Sequence, residues 1–313
     1  MGAPFHHIRH QGPVIAALLG VGWDALFGSR PKALPALPTD RLTATVPARP
    51  DQLVDSYLRW QGGDPKRYRE HLPAHLFPQW TFPLLGQTLA EVPYPLPKVL
   101  NQGCRVTVNA PVPRGQPLQL SARLVEVREE ATKARLHQQI ITGTAAHPEA
   151  LVCDVFAAVP LPRDPSEPRP KRAPRAGVPL DATELAERRF GAGAGRDFAV
   201  LTGDINPIHC LPLAARAAGF RSCILHGFAT LGWAWEGLVR RRLMGDVDRV
   251  AGVDIRFVRP MPLPATARLY TWPAGPDAPA GPDGTEAVSI AVAEAPGGPP
   301  WMVGTAWLRP ADD

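Results

Sequence analysis

The 313-residue chain has little from which to build a redox centre or a structural metal site. Its four cysteines, Cys104, Cys153, Cys210 and Cys223, form no CxxC pair and no spacing typical of zinc ligands. Reduced thiols in a cytoplasmic protein, with no bound metal, are the expectation. Long apolar runs are missing too. "PVIAALLGVGW" covers only residues 13 to 23 before Asp24 interrupts it, whereas a helix spanning a bilayer needs about 20 apolar residues. "DALFGSRPK", which follows, is a poor cleavage site for a secretion signal, so a buried helix or a hydrophobic edge is expected there and no membrane partner. Nor is charge of one sign in large excess: 34 Lys and Arg stand against 29 Asp and Glu, a formal net charge of +5. The one dense basic run, "RPKRAPR" at 169 to 175, has no aromatics interleaved. That argues against nucleic acid and for a solvated linker. A mild basic excess also suits a phosphorylated small molecule.

Proline, by contrast, is abundant at 38 residues, about twice average usage. It is densest in "LPRDPSEPRPKRAPRAGVPL" (161 to 180), which has no apolar period and separates two stretches of similar plan. The reading is a first unit over 1–160, a Pro/Arg-rich linker over 161–178 and a second unit over 179–313. "GCRVTVNAPVPRGQPLQLSARL" from Gly103 and "GVDIRFVRPMPLPATARLY" from Gly252 overlay without gaps. Val106, Val108, Pro111 and Pro113 then fall on Ile255, Phe257, Pro260 and Pro262. A helical segment precedes each: "TFPLLGQTLAEV" (81 to 92) and "HGFATLGWAWEGLVRRRLM" (226 to 244). In the second, Phe228, Leu231, Gly232, Trp235, Leu238 and Val239 recur at three- and four-residue steps and predict one apolar face. Alternating runs follow in both halves. A helix followed by an antiparallel meander, twice, predicts an α+β fold in which a helix lies on a curved sheet. Residues 1 to about 50 carry little pattern and are assigned to the first unit.

The densest chemistry lies in "TGDINPIH" (202 to 209). Five residues of helix would turn His209 about 140° away from Asp204, so the two side chains converge only if the backbone bends between them. Asn206-Pro207 supplies that bend, and Gly203 permits an unusual backbone angle or a close approach. A short turn at 207 to 210 and a helix from Pro212 to Ala218, ended by Gly219, are expected to follow. An acid and an imidazole sharing one water can move protons near neutral pH. The free N–H of Gly227, at a helix start after His226, could meet developing oxyanion charge. Taken singly, Asp204 fits a turn cap, His209 a buried structural imidazole and His226 a helix-start residue. It is their joint occurrence that favours catalysis.

"FAVLTGDINPIHCLPLAARAAGF" (198 to 220), followed by "ILHGFATLG" (224 to 232), resembles the hydratase-2 motif of the MaoC-like dehydratases, the (R)-specific enoyl-CoA hydratases. The resemblance covers roughly 180 to 313. It implies a hotdog fold, and for two halves in one chain a double hotdog in which the first half is catalytically degenerate. By motif position it implies Asp204 and His209 as the catalytic pair and Gly227 as the oxyanion amide, with Asn206, Gly203 and His226 supporting. The implied reaction is reversible hydration of a trans-2-enoyl thioester to the (R)-3-hydroxyacyl thioester. The substrate is an acyl-CoA or acyl-carrier-protein thioester, with coenzyme A entering only as part of the substrate and no other cofactor. A homodimer is a further expectation. A silent acyl-thioester-binding subunit and a hotdog thioesterase are the alternatives. In the first half, Gly63-Asp64 matches Gly203-Asp204, with Arg69 where the histidine should be. Leu211 replaces a capping residue before Pro212, and Phe228 is larger than the resemblance leads one to expect.

Overall fold

Alternating runs in both halves become strands in a computed structural model that describes residues 2–17, 20, 33–95, 99–162 and 177–311. The first half supplies β1 (Leu42–Val46), β2 (Leu100–Val108), β3 (Leu118–Glu130), β4 (Lys133–Gly143) and β5 (Leu151–Pro160). The second supplies β6 (Thr183–Phe190), β7 (Ile224–Leu225), β8 (Val250–Phe257), β9 (Met261–Pro262), β10 (Ala265–Pro273), β11 (Glu286–Ala293) and β12 (Met302–Leu308). Ten of these strands form one antiparallel sheet in the order β1-β3-β4-β5-β2-β8-β12-β11-β10-β6. Read outward from its centre, the order is the same on both sides: β2, β5, β4, β3, β1 on one, and β8, β12, β11, β10, β6 on the other.

The gapless overlay of the two stretches has a direct structural counterpart. β2 and β8, the strands it equates, pair with each other at the centre, Val106 opposite Val253 and Cys104 opposite Ile255. Gly103 and Gly252, which it also equates, both have positive φ, 145° and 159°. A Cβ on Gly103 would lie 2.0 Å from the Ile255 carbonyl oxygen, and one on Gly252 would lie 2.2 Å from that of Val106. Only glycine lets the two central strands approach so closely. The pairing of β7 with β9, Ile224 opposite Pro262, is matched in the first half by a single bridge between His71 and Pro113.

Among the described residues the helices after β1 are α1 (Asp51–Gln61), α2 (Pro78–Gln87), α3 (Ala194–Thr202), α4 (Pro207–Cys210), α5 (Pro212–Ala217) and α6 (Gly227–Arg241). α6 matches the predicted span within three residues, whereas α2 begins earlier than predicted, at Pro78, where proline suits a first turn. One amphipathic face was predicted for α6, but every residue from Phe228 to Val239 is buried. The sheet lies on one side of α6, and the first half's helical segments cover the rest. Glu236 is among the buried residues, and it accepts from Tyr68 Oη at 2.6 Å and His75 Nε2 at 2.9 Å. These bonds make burial of a carboxyl tolerable and tie the two halves together.

Of the expected linker, residues 163–176 lie outside the described residues, as do 18, 19 and 21–23 of the apolar stretch near the start. Residues 12–17 are helical. The segment also reaches the second half: Gln11 bonds to Leu201, and Val14 packs on Gly203. Among the described residues no helix is long and apolar enough to cross a membrane.

Candidate active site

The octapeptide folds as its composition requires. α3 ends at Thr202, and Gly203 follows in the left-handed region at φ 82°, its N–H bonded to the Ala199 carbonyl at 2.7 Å. The chain turns here, and Asp204 comes next. The Asn206 amide donates to Asp204 Oδ1 at 3.4 Å, a long contact, and the Ile208 amide donates to Asn206 Oδ1 at 3.3 Å. Asn206 is thereby the N-cap of α4, with Pro207 at its first position. That one short turn of helix swings His209 back toward Asp204. α5 then begins at Pro212 without a side-chain cap, Leu211 having none to offer, and ends before Gly219 at φ 88°.

A carboxylate oxygen of Asp204, a ring nitrogen of His209 and one of His226 all lie within 4.8 Å of one another. Two hydrogen bonds of about 2.8 Å meeting at a tetrahedral angle span about 4.6 Å, so a single water fits between acid and imidazole. His209 Nδ1 donates to the Ile224 carbonyl at 2.8 Å, because a carbonyl can only accept. In the neutral ring Nε2 is then left with a free lone pair. His226 Nε2 donates to the backbone carbonyl of Asp204 at 2.9 Å, so the residue before α6 holds the residue that carries the acid. The two imidazoles stack, centroids 3.7 Å apart and 28° between planes, and Phe198 lies on His226 at 4.8 Å. One nitrogen of each ring is already committed to a backbone carbonyl, His209 Nδ1 to Ile224 and His226 Nε2 to Asp204.

Burial pushes the Asp204 carboxyl above the ordinary carboxylate range, against the opposing pull of His209 and the Asn206 amide. Burial also lowers His209, with Asp204 and the Ile224 carbonyl opposing. His226, 1 % exposed, is held well below its ordinary value by burial and by its neighbour His209. These shifts bring the acid's titration closer to the neutral range and favour uncharged imidazoles. Cys210, beside His209, is pushed up to about 11 by burial first and Asp204 second, so it remains a thiol.

The two histidines have a consequence for stability. Folded states with lowered imidazole values bind fewer protons than the unfolded chain, so unfolding free energy should fall as pH drops below about 6.5. His226→Phe keeps an aromatic ring but leaves the half-buried Asp204 carbonyl without its donor. It is expected to cost about 1–3 kcal/mol at pH 8 and to reduce the loss on acidification, both measured by urea unfolding.

α6 begins at Gly227 with His226 as N-cap, and among the described residues no carbonyl accepts from the Gly227 amide. A Cβ at Gly227 would lie 2.6 Å from Cδ2 and Cε2 of Phe257, which makes glycine a requirement of the Phe257 ring rather than of open space. Phe228, larger than the resemblance leads one to expect, is 3 % exposed and packs edge-on against Phe77 and Phe257, with Phe82 at 5.8 Å.

In the first half the corresponding turn is degenerate, and the structure corrects its register. Gly62 is the left-handed cap after α1, and Asp64 accepts from the Lys66 amide while Pro65 opens the next turn. Asp64 is thus the counterpart of Asn206, and Arg67, not Arg69, stands two residues after the proline as His209 does. Gly63 takes the acid's place, with Glu236 against its α-carbon. Glu236 and the contacts of residues 7–14 were not legible beforehand: nothing in the apolar spacing of α6 marks a buried carboxyl.

Residues 169–291 match the family model described as MaoC like domain. The 3-hydroxyacyl-thioester dehydratase X of Mycobacterium tuberculosis is 37 % identical over 109 residues, 35 % of this chain and 34 % of that protein. The enoyl-CoA hydratase ChsH3 of the same organism is 28 % identical over 191 residues, 58 % of this chain and 63 % of its own. The matches thus span about a third and under two thirds of these curated relatives. A further Mycobacterium tuberculosis protein, whose structure is described as a double hotdog fold, superposes with a TM-score of 0.54 at 15 % identity, covering 88 % of this chain and 96 % of that one. The fold is a double hotdog, and the match to the MaoC like domain falls in its second half.

Proposed function

We propose that this double-hotdog chain, with its MaoC-like second half, catalyses reversible hydration of trans-2-enoyl thioesters to (R)-3-hydroxyacyl thioesters. The observation that carries the reading is the convergence of Asp204 and His209 within reach of one water, with His226 tying their loop to the start of α6. The substrate thioester carbonyl accepts from the Gly227 amide, where the helix dipole favours negative charge. His209, neutral, takes a hydrogen bond from the water at Nε2 and orients it. Asp204 takes the water's other proton as the hydroxyl oxygen bonds to C3. The C2=C3 electron pair moves toward the carbonyl, and the resulting enolate is held at the amide. The proton on Asp204 then passes to C2 on the same face, restoring the carboxylate. One water is added and nothing else is consumed. A carboxyl raised by burial suits both steps, since it must accept a proton and release it within one turnover.

Acyl-CoA and acyl-carrier-protein thioesters are both consistent with this site. The names of the relatives support thioester chemistry of this class. The test is to mix the purified protein with crotonyl-CoA and follow the conjugated thioester absorbance, with chiral analysis of the product and a free-thiol assay in parallel. Loss of absorbance with (R)-3-hydroxybutyryl-CoA formed is the expected result. Binding without absorbance change would assign a silent acyl-thioester binder, and thiol release a thioesterase.

A further inference from the structure

Residues 5–17 carried no functional reading in the sequence, yet they reach the turn that presents Asp204. α3, like any helix, leaves its last carbonyls without intrahelical donors. Gly203 N–H satisfies the Ala199 carbonyl. The next two are satisfied from outside the catalytic half: Gln11 Nε2 donates to the Val200 carbonyl at 3.2 Å and to the Leu201 carbonyl at 2.9 Å. Gln11 is fully buried. Its own oxygen accepts from Gln79 Nε2 at 2.9 Å, and Gln79 Oε1 accepts from Arg49 at 3.2 Å. The amide of Gln11 is therefore held in one orientation by α2 of the first half. One helical turn further on, Val14 is 2 % exposed and fills the space over Gly203. Its Cβ is 2.7 Å, and the Gln11 Cβ 3.1 Å, from where a side chain on Gly203 would begin.

We infer that Gln11 and Val14 are positioning residues for Asp204: together they fix the end of α3 and the left-handed Gly203 turn from across the two halves. This rests on the hydratase reading of the same site. Neither side chain touches a reacting atom. Gln11 sets where α3 ends and Val14 prevents the glycine from relaxing, so the carboxylate one residue later keeps its place opposite His209. A catalytic loop supported only by its own short-range bonds, two of them long at 3.3 and 3.4 Å, needs such an external anchor.

The experiment compares Gln11→Met, which keeps length and loses the amide, with His7→Ala. His7 lies on the same segment but bonds to Ser56 on α1, away from the turn. Crotonyl-CoA kinetics, thermal unfolding and amide hydrogen exchange over 203–206 are measured for both. Gln11→Met is expected to lower kcat about ten- to a hundredfold, to leave KM within about twofold and to speed exchange at 203–206. His7→Ala is expected to lower the Tm with kcat and that exchange unchanged. Wild-type kcat and exchange in Gln11→Met would overturn the proposal, as would an equal loss in both variants tracking their Tm. If Gln11→Met does not fold, Val14→Ala is read in the same way. If the wild-type protein hydrates nothing, the hydratase reading fails by itself, and exchange at 203–206 alone decides whether Gln11 holds the turn.

Discussion

Asp204→Asn is expected to hydrate crotonyl-CoA about a thousandfold or more slowly than wild type while folding at least as well. Asparagine keeps the shape and the Oδ1 that accepts from the Asn206 amide, so the turn after Gly203 survives. What it loses is the ability to take a proton from water and return it to C2, and general acid–base steps of this kind contribute about 10²–10⁴ each. The stability effect has a definite sign. Burial raises the folded-state value of Asp204, so the folded protein binds more protons than the unfolded chain between about pH 3.9 and that raised value. Stability is therefore lost as pH rises through this window, and the cost is full above it. The carboxamide of the variant never ionises and escapes that cost. Chemical unfolding should accordingly find the variant more stable at pH 7, and equal to wild type at pH 3. A variant as fast as wild type would remove Asp204 from the chemistry. One that is slow and also less stable at pH 7 would mean that the carboxylate is a structural anchor.

The division of labour within this site explains which parts of it could be read from sequence. The turn was legible because its causes are local: Gly203 for the left-handed cap, Asn206 and Pro207 for the start of α4, Pro212 and Gly219 for the bounds of α5. Pseudo-symmetry was legible for the same reason, since Gly103 and Gly252 mark equivalent close approaches of two central strands. What escaped the sequence depends on partners far along the chain. Gln11 lies 190 residues from the carbonyl it satisfies, and Tyr68 lies 168 from Glu236. Neither polar residue sits in a pattern that announces burial. α6 was read as having one apolar face, with Gly232 on it and Gly237 off it. In the fold they are contact points, Gly232 under Gln61 and Gly237 under Leu269. The register of the degenerate first-half turn was misjudged by matching Gly-Asp to Gly-Asp. The capping bonds show that the loop there is one residue shorter before its proline.

Gly227→Ala should lower kcat/KM about 10²–10³-fold, the cost of displacing one oxyanion donor, and the route by which it does so can be separated from simple misfolding. The added methyl would enter the Phe257 ring at 2.6 Å, a contact no folded protein sustains, so either the ring or the start of α6 must move. The ring is restrained: it packs edge-on against Phe228, centroids 5.8 Å apart at 86°, and Phe228 is itself clamped by Phe77. The helix start is held through His226 Nε2 and the Asp204 carbonyl, but among the described residues no carbonyl holds the Gly227 amide itself. The amide should therefore yield first, and with it the alignment between carbonyl, water and Asp204. Removing the ring relieves the conflict. Phe257→Ala alone is expected to be only mildly slower than wild type, and Gly227→Ala with Phe257→Ala to recover at least about tenfold over Gly227→Ala. The two positions would then be coupled, as touching residues are. A double variant no faster than Gly227→Ala would mean that the methyl obstructs the substrate directly, and that the amide had kept its place.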